Sequence, residues 1–79
     1  MALIIDLKKT IKERHNVHAS VECTYSVFTG PDGQQYLQLE TYGLKERKCR
    51  VKTSQAIQLN AVSAAELKHV IEETFPSLR

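Results

Sequence analysis

Lys48, Arg50 and Lys52 stand at alternate positions, with Cys49 and Val51 between them. Residues two apart on a strand point to the same face, so this spacing predicts three cations in a row on one side of a sheet. Val51, Ile57 and Leu59 share the opposite parity and predict an inward-facing apolar row. Fixed cations backed by a core are the electrostatic footprint of a polyanion site. Lys45 and Arg47 lengthen the cluster. Between Lys45 and Lys52 five cations meet one anion, Glu46, for a local charge of +4. The whole chain carries only +2, so the remainder sums to −2. The signal lies in how the charge is distributed, not in its total.

Aromatic residues narrow the class of polyanion. In Gln35 to Tyr42 the odd positions hold Leu37 and Leu39, while the even ones hold Tyr36, Gln38, Glu40 and Tyr42. In Val17 to Phe28 the odd positions hold Val17, Ala19, Val21, Cys23, Tyr25 and Val27. If these segments share one antiparallel sheet, Val21, Cys23, Leu37, Leu39, Val51, Ile57 and Leu59 make its buried face. The open face then brings Phe28, Tyr36 and Tyr42 beside Lys48, Arg50 and Lys52. Rings next to cations suit single-stranded nucleic acid, DNA or RNA: bases stack on the rings and cations neutralise phosphates. On this reading Tyr36 and Tyr42 stack, Lys48, Arg50 and Lys52 hold phosphates, and Lys45 and Arg47 steer from the connecting loop. A competing reading needs no ligand. Edge strands carry lysines to block aggregation, and Glu22 and Glu40 offer cross-strand partners on the same face. The chain would then be a homodimeric protein-interaction module without a nucleic-acid role.

Other chemistry is weakly represented. His15 and His18 flank a predicted element boundary without a third ligand nearby, which argues against metal. No nucleophile-elbow serine and no glycine-rich phosphate loop occurs, so neither enzymatic activity nor a cofactor is expected. Cys23 and Cys49 have inward parity and no CxxC spacing, and are expected as buried free thiols. No apolar run matches a membrane span or a signal peptide. The expectation is a cytoplasmic protein.

These residues need a scaffold. Seventy-nine residues predict one domain. A chain this short buries only about 60% of its unfolded surface, which favours self-association as a homodimer. Leu3, Ile4, Leu7 and Ile11 follow helical spacing and predict an amphipathic helix over Leu3–His15; a short edge strand over Ala2–Asp6 is the alternative. Gly30-Pro31-Asp32-Gly33 predicts a hairpin turn. Gly43 closes the second strand. The third segment is long for one strand, and polar Thr53, Ser54 and Gln55 predict a break in it. Ser63 and Glu66 have capping-box spacing, Val62 and Leu67 that of a hydrophobic staple, and Pro76 follows the last turn. The resulting class is α+β, in the order α-β-β-β-α. It would have an antiparallel three- or four-stranded sheet, with an N-terminal and a C-terminal helix packed on one face.

Three pieces of the chain carry a resemblance. Tyr36-Leu37-Gln38-Leu39-Glu40-Thr41-Tyr42 resembles an aromatic-ended strand of the positive-cofactor type of single-stranded-DNA-binding transcriptional coactivators. Lys52-Thr53-Ser54-Gln55-Ala56-Ile57-Gln58-Leu59 resembles their following strand, and Ser63 to Phe75 their capped helix. The resemblance implies a curved antiparallel sheet, a dimer and a single-strand-binding face. The chain departs from that pattern in lacking the glycine beside the strand lysine and the helix tryptophan. Tyr42-Gly43 and Ser54-Gln55-Ala56-Ile57-Gln58-Leu59 are also similar to pieces of small bacterial proteins without an assigned function. The predicted element order and Gly30-Pro31-Asp32 also resemble the double-stranded-RNA-binding domain. However, Ser63-Ala64-Ala65-Glu66 stands where that family carries a lysine cluster.

Overall fold

The hairpin is built around one turn. Gly33 adopts φ 81°, a left-handed conformation that glycine takes without steric cost. Its N–H donates to Gly30 O at 3.0 Å, and Gly30 N–H donates to Gln34 O at 2.8 Å. The Asp32 carboxylate accepts from Gln34 N–H at 3.1 Å. This turn joins β2, Cys23–Thr29, to β3, Gln35–Thr41. The computed structural model describes residues 1–43 and 53–79.

Among the described residues the sheet has four strands in the order β1-β4-β3-β2, where β1 is Ala2–Ile4 and β4 is Gln55–Leu59. Strands β2, β3 and β4 pair antiparallel, and β1 pairs parallel to β4. The register joins Val27 to Leu37 and Leu37 to Leu59, then Tyr25 to Leu39 and Leu39 to Ile57. The odd apolar set therefore shares one face, as alternation predicts. A bend at Ser54 precedes β4, where polar Thr53 to Gln55 predict a break. Ser54 N–H donates to Thr41 O at 2.7 Å, tying the start of β4 to the end of β3.

The helix α1, Ala61–Thr74, follows β4 after one residue. Asn60 caps it: its side-chain oxygen accepts from Ser63 N–H at 2.9 Å, and Asn60 N–H donates to Ser63 Oγ at 3.1 Å. The sequence reading placed the box at Ser63 and Glu66, three residues too late. Asn60 and Ser63 have the same three-residue spacing, and they satisfy the free amides one turn earlier. Leu59, at N′, is 2% exposed and lines the same apolar groove as Ala64, at N4, the geometry of a hydrophobic staple. Leu67 and Ile71 continue that groove over Leu37. The helix thus covers the β4 and β3 side of the odd face. It ends where Phe75 N–H donates to Ile71 O, and Pro76–Leu78 forms a short 3-10 turn.

The class is α+β: a mixed four-stranded sheet with one C-terminal helix. The expected N-terminal helix is absent, and the sheet is not purely antiparallel. Ala2, Leu3 and Ile4 pair with Ile57, Gln58 and Leu59. This ladder satisfies an otherwise open edge of β4, a tertiary gain that outweighs a weak helical periodicity. Ile11, on the supposed helix face, is 88% exposed.

Burial also departs from expectation. Of the predicted core, Leu59 is buried and Leu37 and Leu39 are half-buried, whereas Val21, Cys23 and Ile57 are exposed; Val51 lies outside the described residues. The parity is right, but one helix is too narrow to cover the β2 side. Cys23 is accordingly an exposed free thiol rather than a buried one, and Cys49 lies outside the described residues.

The Asn60 cap gives a direct test. Asn60→Ala should cost about 1 kcal/mol of stability, and Asn60→Asp or Asn60→Ser should retain most of it. Urea unfolding measures the difference, and an unchanged midpoint for Asn60→Ala would refute the cap.

Candidate nucleic-acid interface

The open face carries three successive groups of side chains. At the turn end, Phe28 and Tyr36 are directly opposite on β2 and β3. Their rings stack with centroids 5.5 Å apart and planes at 22°, within the usual range for offset aromatic pairs. Gly30 makes room for them: a Cβ there would lie 2.7 Å from Tyr36 Cε2. The Tyr36 hydroxyl donates to Asp32 Oδ2 at 2.6 Å, which anchors the ring to the turn. That bond, with the Gln34 amide as a second donor, lowers the Asp32 pKa. It raises the Tyr36 pKa, because the carboxylate disfavours the phenolate.

A polar chain crosses the middle of the face. Gln58 Nε2 donates to Gln38 Oε1 at 2.8 Å, and Gln38 Nε2 donates to Glu40 Oε1 at 2.5 Å. Thr53 Oγ1 donates to Glu40 Oε2 at 2.6 Å. The Thr53 bond, then the Gln38 bond, holds the Glu40 pKa below its ordinary value. Both Glu40 oxygens therefore already accept hydrogen bonds from neutral groups, rather than being placed only to neutralise cations.

The third group is Tyr42, 9% exposed, with its hydroxyl 2.9 Å from Thr24 Oγ1. Its even parity is as expected, but its ring is enclosed, unlike that of Phe28 at 38% exposure. Lys45, Arg47, Lys48, Arg50 and Lys52 lie outside the described residues. The described structure therefore brings together Phe28, Tyr36, Gln38 and Gln58 of the predicted face. Sequence reasoning missed the amide pair, although Gln38 and Gln58 both have even parity and flank the predicted rings.

Among the described residues no cluster of His, Cys, Asp or Glu could hold a metal ion. His69 instead lies 3.4 Å from Glu73 along the exposed side of α1. No helix in the described residues is long and apolar enough to cross a membrane. Fold and face together define a small α+β domain whose mixed sheet presents a ring pair and an amide chain opposite its helix. Comparison with family models, with curated proteins and with solved structures finds no match to this chain.

The Asp32–Tyr36 bond can be checked by titration. The Asp32 carboxyl should titrate below an ordinary aspartate, and Tyr36→Phe should move it up toward the usual value, with the Gln34 amide retaining part of the shift. Because folding depresses this pKa, its stabilisation is present above the unfolded value and is lost as pH falls through the folded one. Carboxyl-carbon NMR shifts measure this; an Asp32 pKa insensitive to Tyr36→Phe would disprove the coupling.

Proposed function

We propose that this domain binds single-stranded nucleic acid through the open face of its sheet. The observation that carries the proposal is the Phe28–Tyr36 stack on the open face, with Phe28 38% exposed and Tyr36 half-buried, held in place by Asp32 and given room by Gly30. A pre-ordered aromatic surface loses little entropy when a base stacks on it, and every base has a π-face to offer. The Gln38 and Gln58 amides stand alongside, with donors and acceptors suited to base edges. Lys45, Arg47, Lys48, Arg50 and Lys52, which lie in sequence between Thr41 and Gln55, would supply the phosphate contacts. Stacking in this proposal rests on Phe28 and Tyr36; Tyr42 supports the sheet through Thr24. The proposal assigns the chain no catalytic role and no cofactor, and it suits a cytoplasmic protein.

A second reading is a homodimeric interaction module. It is favoured by the exposure of Tyr25 and Val27, 74% and 61%, on the β2 side of the odd face, which the helix does not reach.

Titration with a short oligothymidine, against a duplex of equal charge, separates the two. Neutralising Lys48, Arg50 and Lys52 together should reduce the magnitude of the log–log salt slope by ~2, since each single-strand phosphate contact contributes about 0.7. Tyr36→Ala should instead cost ~1–3 kcal/mol of binding for a stacked base and leave the slope nearly unchanged. Tyr42→Ala should lower stability more than it lowers intrinsic affinity. No binding at low salt, or a slope unmoved by the triple neutralisation, would reject the nucleic-acid reading and leave the interaction module.

A further inference from the structure

The strand β2 is a free sheet edge of an unusual kind. Among the described residues it lies at the end of the order β1-β4-β3-β2, with β3 as its one neighbour in the sheet. Its seven residues, Cys-Thr-Tyr-Ser-Val-Phe-Thr, contain no charge, no proline and no glycine. Sheet edges that stay unpaired are normally blunted by lysine, proline, a bulge or brevity. None of these devices is present in β2, whereas the opposite edge, β1, is only three residues long.

The uncovered area points the same way. Beside the free edge, the apolar face carries Tyr25 and Val27, 74% and 61% exposed, beyond the reach of the helix.

We propose that a second copy of this chain pairs antiparallel along β2, joining two four-stranded sheets into one of eight. A two-fold axis perpendicular to the sheet keeps odd residues with odd and even with even. Among such registers, the one centred on Ser26 overlaps all seven residues. Ser26 then meets its own copy, Tyr25 meets Val27 of the second chain, and Thr24 meets Phe28. Tyr25 beside Val27 is an aromatic and β-branched pair, of the kind that stabilises cross-strand contacts. No charged residue of β2 opposes a like charge. The two helices fall on the same side, and the two Phe28–Tyr36 stacks fall together on the other. This arrangement stands independently of the nucleic-acid proposal, since it is read without ligand.

Sedimentation of the full chain without nucleic acid should give a dimer at micromolar concentration. Ser26→Lys places two like charges directly opposite and should yield a monomer whose circular dichroism is unchanged. A cysteine at the same position gives the converse test. In a chain carrying Cys23→Ser and Cys49→Ser, Ser26→Cys should form an intermolecular disulfide with dissolved oxygen as oxidant. The natural Cys23, tested in Cys49→Ser alone, should not, because the two copies lie six positions apart along the strand, ~20 Å. A monomeric wild type, a dimer that survives Ser26→Lys, or crosslinking through Cys23 as readily as through Ser26→Cys would each overturn the proposal. If Ser26→Lys does not fold, the crosslinking contrast decides alone.

Discussion

The register of β2 against β3 is the constraint on which the rest depends. A slip of one residue would exchange the two faces of the hairpin, sending Leu37 and Leu39 to the open side. The turn prevents it. Gly33 supplies the positive φ, Gly30 accepts and donates the closing bonds, and Asp32 fastens both Gln34 N–H and the Tyr36 hydroxyl. The same aspartate therefore sets the register and positions a half-buried ring on the open face. Structure and candidate site are not separable at this end of the sheet.

The other end is governed by the junction between β4 and α1. A single residue, Asn60, leaves the strand and caps the helix. Leu59 enters the core just before it, and Ser63 closes the cap just after it, fully buried. So short a connection leaves the helix little freedom: it must return over β4 and the near part of β3. The β2 side remains uncovered, and that geometry, more than composition, exposes Tyr25 and Val27. A core containing Tyr42, Ala56 and Leu59 as its buried apolar members among the described residues is small. Additional burial through self-association would offset the conformational entropy of ordering the chain.

Both faces of the sheet are thus open in part, and they differ in character. The odd face is apolar and continuous with the helix groove. The even face is ordered by hydrogen bonds running Gln58 to Gln38 to Glu40, with Thr53 meeting the same carboxylate. A surface whose side chains are already bonded to one another is pre-organised for a flat polar ligand. An uncovered apolar surface is suited to a protein partner. The two roles can coexist because alternation along each strand keeps the two surfaces apart.

Much of this was legible in the residues themselves. Period-two alternation assigned Leu37, Leu39, Ile57 and Leu59 to one face and Tyr36, Gln38 and Glu40 to the other, because side-chain direction in a strand is a local property. Gly30 to Gly33 marked the hairpin for the same reason. Local signals failed where two solutions had equal spacing. Asn60 with Ser63 displaced Ser63 with Glu66 as the cap, and strand pairing displaced a helical periodicity at Leu3 and Ile4. Only the tertiary structure decided that β1 runs parallel to β4, since that pairing joins residues more than fifty positions apart. It alone decided how much of the odd face is covered, which depends on helix width and connection length, and that Tyr42 turns against Thr24 while Phe28 stays exposed and Tyr36 half-buried. The sequence by itself determined which side chains share a surface; burial of that surface is a property of what packs on it, and packing is not local.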